Sequence, residues 1–190
     1  MQTRSRAARR STSRIGEDMD AWNHNSYCVS PEHVDRLCEA IEALFPWSLI
    51  VRKPHLVGYR LGDDLNRGAL YLRPMAPARA LLSALSRLRG SDAELSGALD
   101  AMEAQDPDLG DHQGVRIASV EEWEERVGRA CMLATDRPEL EVTVVRVERP
   151  GDPGALTDYL YQAWIRLGLL GPIRNTLEMQ ALFPGKLPIR

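Results

Sequence analysis

The sequence predicts an α+β protein in which two tandem βαβββ modules form a curved mixed sheet around a central cavity, joined by a helical connector. Three observations lead there. An extended segment, a helix and three strand-like runs occur in that order near the start and again near the end. A leucine-rich stretch of helical period separates the two sets, and Gly, Pro, Asn and Asp punctuate the runs.

In the first set, Trp22 to Val29 reads as extended, with His24, Ser26 and Cys28 on one face. Ser30 is placed to cap a helix with Pro31 at its first position and His33 just beyond. Val34, Leu37, Cys38, Ile41, Leu44 and Phe45 then follow helical spacing until Pro46 stops them. Strands are predicted over 47–51, 55–61 and 68–72, the last two separated by the turn chemistry of Gly62-Asp63-Asp64 and Asn66-Arg67-Gly68. From Pro77 to Asp108, Ala80, Leu81, Leu82, Leu85, Leu88, Leu95, Leu99 and Met102 mark two helical segments broken at Gly90-Ser91-Asp92. The second set opens with a strand at 115–118. Ser119 and Glu122 then form a capping-box pattern before Trp123, Val127, Ala130, Cys131, Leu133 and Ala134. The β-branched run 140–147 is the next strand. Runs 159–169 and 174–183 complete the set, although Leu160, Trp164 and Leu167 suit a helix as well. These boundaries give a basic leader over 1–20, a first module over 21–76, the connector over 77–110 and a second module over 111–190.

Composition narrows the partners. Of 190 residues, 44% are hydrophobic, enough for a sizeable core, and the formal net charge of -3 argues against nucleic acid. The clustered cations, Arg4, Arg6, Arg9, Arg10 and Arg14, lie in a Ser/Thr-rich opening without apolar periodicity. It reads as a floppy leader or a misplaced start rather than a targeting peptide. No apolar run approaches the roughly 20 residues needed to span a bilayer, no secretory signal is evident, and a cytoplasmic home is expected. Cys28, Cys38 and Cys131 show no CxxC spacing and are expected to pack as small apolar residues.

Two motifs carry chemistry. Asp111-His112-Gln113-Gly114-Val115-Arg116-Ile117 resembles the opening strand of a vicinal-oxygen-chelate module, an Asp-His followed by an alternating strand. Gly171-Pro172-Ile173-Arg174-Asn175-Thr176-Leu177-Glu178-Met179-Gln180 resembles that module's closing turn and strand. The superfamily includes glyoxalase I, methylmalonyl-CoA epimerase, fosfomycin-resistance enzymes, extradiol dioxygenases and bleomycin-binding proteins. The resemblance implies one divalent metal held by His24, His112 and Glu178, with Fe(II) favoured over Mn(II), Zn or Ni(II). It aligns Tyr71 with Glu178, where several members carry a carboxylate, and implies that many relatives are dimers, so a homodimer is expected here.

Strand alternation puts His112, Gly114 and Arg116 on one face and Thr176, Glu178 and Gln180 on one face. Tyr71 and Glu178 are the candidate catalytic groups, and Tyr71, Tyr161, Trp164 and Arg116 the candidate substrate contacts. Arg67, Arg73 and Arg166 could also meet an anion, whereas His33 reads as solvated and His55 as structural. A set of two His and one carboxylate suits non-haem iron, so the first expectation is a metal-dependent enzyme acting on a small oxygen-rich substrate, leaning to an Fe(II) dioxygenase. An epimerase, isomerase or lyase is the near alternative. The third is a metal-free, drug-sequestering binder in which Trp22, Trp164, Tyr71 and Tyr161 line the sheet.

Overall fold

The computed structural model describes residues 24–61, 68–107, 111–153, 155, 157–171 and 176–182. The Arg-rich opening, Trp22, residues 62–67 with Arg67 among them, and residues 172–175 lie outside the described residues.

The first module runs β1 (His24–Val29), α1 (Val34–Leu44), β2 (Ser48–Lys53), β3 (Leu56–Arg60) and β4 (Ala69–Pro74). A connector of α2 (Ala76–Arg89) and α3 (Ala93–Ala104) follows. The second module repeats the order as β5 (His112–Arg116), α4 (Val120–Asp136), β6 (Val142–Glu148), β7 (Leu160–Leu167) and β8 (Thr176–Leu182). Each module forms its own four-stranded sheet, in the order β1-β4-β3-β2 and β5-β8-β7-β6. The first strand pairs in parallel with the last, and the other pairs are antiparallel. Among the described residues no ladder joins the two sheets. The run from 159 is a strand, because it pairs along both edges with β6 and β8.

Local signals account for most boundaries. Ser119 accepts from the Glu122 N–H at 3.1 Å and caps α4, and Asp92 accepts from the Leu95 N–H at 3.0 Å and caps α3. The Ser30 side chain makes no cap hydrogen bond; Pro31–His33 instead forms a 3₁₀ turn leading into α1.

Both helices press their apolar stripes against one side of their sheets, and the two stripes fuse into one core holding Leu37, Ile41, Leu44, Tyr59, Leu72, Trp123, Ala130, Ile165 and Met179. Charged side chains tie α4 to the first module. The Arg126 guanidinium lies 5.6 Å from the Phe45 ring centre, and Arg129 donates to the Ala43 carbonyl at 3.0 Å. His33 is engaged as well: its Nδ1 is 3.1 Å from the Leu169 carbonyl, so the expected solvated histidine is an inter-module contact. Cys38 is buried as expected, whereas Cys28 and Cys131 are exposed.

Each module carries a β-bulge at the same place, between Leu49 and Val51 in β2 and between Val144 and Arg146 in β6. In β6 the extra residue is Val145. It lets Val142 and Val144 face α4 while Arg146 and Glu148 stand opposite Trp164 and Gln162 on the other side.

Tyr59 is fully buried and donates to Glu42 Oε1 at 2.7 Å. Burial above all, then the Cys38 thiol and the Glu42 carboxylate, push its phenol far above the ordinary tyrosine range. The folded state therefore keeps the proton that the unfolded chain sheds near pH 10, so this stabilisation is complete below about pH 10 and is lost as the pH rises further. Denaturant titrations of Tyr59→Phe are expected to show a shallower alkaline loss than the wild type. Parallel curves would exclude this origin.

Candidate functional site on the second sheet

Alternation and register decide which side chains meet. On the face of the second sheet turned away from α4, the rows read His112–Thr176–Arg166, Gly114–Glu178–Trp164–Arg146 and Arg116–Gln180–Gln162–Glu148. The opposite face carries Val115, Leu177, Met179, Ala163 and Ile165, and Trp123 of α4 donates its Nε1–H to the Met179 carbonyl at 2.9 Å.

Glu178 occupies the centre of the first face and is 3% exposed. Its Oε1 accepts from the side-chain amides of Gln162 at 2.8 Å and Gln180 at 2.7 Å. Its Oε2 lies 3.3 Å from His112 Nε2. Buried charge needs such partners, since an unpaired carboxylate costs several kcal/mol. Arg116 donates to Gln180 Oε1 at 3.0 Å, which orients that amide so that its N–H faces Glu178. A Cβ at position 114 would stand 3.7 Å from Glu178 Oε2, so the exposed Gly114 is the thin wall between this carboxylate and solvent.

Trp164 shares the face and is fully buried, with the Arg146 guanidinium 4.8 Å from its ring centre. Asp106, just past α3, holds that guanidinium with both carboxylate oxygens at 2.7 Å, so the end of the connector reaches this side of the sheet. Four covered polar atoms here have no hydrogen-bond partner among the described residues: Trp164 Nε1, Gln162 Oε1, Glu148 Oε2 and Arg146 Nε.

On the corresponding face of the first sheet His24, Ser26 and Arg73 are exposed and Tyr71 is half-buried. His24 and Tyr71 occupy register positions equivalent to His112 and Glu178, and their rings meet edge to face at 5.6 Å. Arg73 donates to Ser26 Oγ at 2.9 Å. Thus His112 and Glu178 come together, and His24 and Tyr71 come together. The full trio does not: among the described residues, no three His, Cys, Asp or Glu side chains are grouped so as to hold a metal ion.

Tyr161 and Trp164 do not line one surface. They are three residues apart on a strand, and Tyr161 lies on the α4 side, edge-on to Trp123 at 5.3 Å. Gln162, Arg146 and Glu148 were not anticipated. For Gln162 a signal existed, since Gln162, Trp164 and Arg166 are polar or amphipathic at every second position of an otherwise apolar run. His55 sits exposed in the turn before β3.

The repeated βαβββ order, with the first strand parallel to the last, is the duplicated arrangement that the sequence predicts. A lactoylglutathione lyase structure from Agrobacterium tumefaciens is similar at 15% identity, over 87% of this chain and 96% of that one, with a TM-score of 0.46. A glyoxalase/bleomycin resistance protein/dioxygenase from Nocardioides matches at 13% identity, over 93% of this chain and 92% of that one, TM-score 0.46. A glyoxalase/bleomycin resistance protein from Albidiferax ferrireducens matches at 14% identity, over 84% and 97%, TM-score 0.44. No family model and no curated protein matches the sequence.

Proposed function

We propose that the Glu178 face of the second module binds a small oxygen-rich molecule, with Glu178, Gln162 and Trp164 as its polar contacts. The observation that supports this is the cluster of covered, unpartnered atoms beside a buried carboxylate. Folded proteins rarely leave such atoms unsatisfied, at about 1–3 kcal/mol each, unless water or a ligand completes them. Trp164 Nε1 and Arg146 Nε require acceptors, while Gln162 Oε1 and Glu148 Oε2 require donors. A hydroxyl beside a carbonyl or carboxylate offers both. Entry involves displacing the Arg146 guanidinium, which lies over Trp164 and is tied to Asp106.

Trp164→Phe removes an N–H that has no partner, so its stability is expected to stay within about 1 kcal/mol of the wild type in urea melts. Trp123→Phe, which removes the hydrogen bond from the indole N–H to the Met179 carbonyl, is expected to cost more. Thermal-shift titration with a panel of 2-hydroxy and 2-keto acids supplies the binding readout. A panel with no hit, or a hit that Trp164→Phe leaves unchanged, would count against the site.

A second reading is the metal-dependent enzyme, an Fe(II) dioxygenase or a metal-dependent epimerase or lyase. The 3.3 Å between His112 Nε2 and Glu178 Oε2 favours it, because two ligands at about 2.0–2.2 Å from one ion stand roughly 3 Å apart. The residue set does not complete it: Glu178 Oε1 already accepts two amides, and His24 does not join the pair. Protein purified without chelators is therefore expected to retain less than about a tenth of an equivalent of transition metal. A full equivalent that disappears in His112→Ala would replace the first reading with this one. Oxygen uptake with catechol-like substrates would then separate dioxygenase from isomerase.

A further inference from the structure

The connector helices line an open cavity with the end of β7, about 420 Å³ in volume. That size lies in the ordinary range for small-molecule sites. It lies beyond the Glu178 row and does not depend on the reading given to that row. Leu82, Leu85 and Leu99 form an apolar wall, and Arg166 and Glu141 stand among its polar groups.

The charges around it are not equally engaged. Arg89 donates to both carboxylate oxygens of Glu103, at 2.8 and 3.0 Å, and these hydrogen bonds hold the Glu103 carboxyl below its usual range. His33 is bound through Nδ1 to the Leu169 carbonyl. Arg166 donates one N–H to the Glu103 backbone carbonyl at 3.0 Å and has no carboxylate in ion-pair contact among the described residues. Glu141 has no side-chain partner among them either. Its backbone adopts the left-handed conformation at φ 50°, a strain of about 1 kcal/mol for such a residue. Gly168 leaves the room its carboxylate uses, since a Cβ there would fall 2.8 Å from Glu141 Oε2. The Gly168 N–H donates to the Glu141 carbonyl, so Glu141 stands across from Gly168 and diagonal to Arg166, roughly 7–8 Å away.

Arg166, which donates to a backbone carbonyl and has no carboxylate in direct ion-pair contact among the described residues, and the exposed Glu141 flank this apolar wall, an arrangement complementary to a ligand that carries both charges. We propose that this cavity binds a zwitterion with an apolar body, namely a hydrophobic amino acid or short peptide. Its carboxylate would pair with Arg166, its ammonium with Glu141, and its side chains would rest on Leu82, Leu85 and Leu99.

Calorimetry with Leu-Leu, N-acetyl-Leu-Leu and Leu-Leu amide tests this. Leu-Leu is expected to bind best, with each blocked form about tenfold weaker. Arg166→Gln should abolish the difference between Leu-Leu and its amide. Glu141→Asn, a residue that tolerates the left-handed conformation, should abolish the difference between Leu-Leu and its acetylated form. No binding by any of the three at millimolar concentration, or equal affinity of all three for the wild type, would overturn the proposal even if a variant failed to fold.

Discussion

Exchanging Trp123 for alanine is expected to remove about 3–5 kcal/mol of stability, the range for deleting a large buried aromatic. For a chain of this size that lowers the midpoint of thermal unfolding by on the order of 10 °C. The ring is fully buried, its Nε1–H satisfies the Met179 carbonyl, Tyr161 meets it edge-on, and the Arg149 guanidinium lies 5.4 Å from its centre. The loss thus combines an empty volume with a lost side-chain hydrogen bond to β8, the strand that also carries Glu178. Calorimetric scans of Trp123→Ala and Trp123→Phe apportion the two effects. A shift under about 2 °C for the alanine variant would mean that α4 does not anchor the sheet as described.

Glu178→Gln is expected to weaken binding at the second sheet by about 10–100-fold, the range for losing a hydrogen bond to a charged acceptor. It is also expected to cost about 1–3 kcal/mol of stability without ligand. The reason is a surplus of donors. Gln162 and Gln180 both direct N–H groups at the carboxylate, and a third amide cannot accept from both and still offer an oxygen toward His112. The hydroxy-acid panel reads the binding loss, and urea titration without any ligand reads the stability loss. Wild-type values in both would remove Glu178 from the centre of the site.

The sequence made the duplication legible because hydrophobic periodicity changes from two to helical and back in the same order twice. The pairing of His112 with Glu178 was legible for a related reason: in parallel strands, alternation alone determines which side chains share a face. Alternation says nothing of how one sheet stands against another, so whether His24 would meet that pair was beyond it. The same rule, applied consistently, separates Tyr161 from Trp164. Arg146 and Glu148 escaped because a bulge changes the parity of β6, and nothing in Val-Thr-Val-Val-Arg-Val-Glu announces where the extra residue sits. The connector was legible as two helices, but α2 buries none of its residues and α3 only Leu99, so hydrophobic spacing could not tell where the pair would lie. Polar contacts reach from the pair to the modules, joining Arg79 to Glu32, Arg146 to Asp106 and Arg166 to the Glu103 carbonyl, while Arg89–Glu103 ties α2 to α3.

The unpaired valine of β6 makes one point of that strand adjustable in length. Losing Val145 would straighten the ladder while every remaining side chain kept its side, whereas one more inserted residue would drive Arg146 and Glu148 toward the oily interior beneath α4. Natural variants of this fold that shorten here by one position can therefore preserve the polar face intact, and those that lengthen by one cannot.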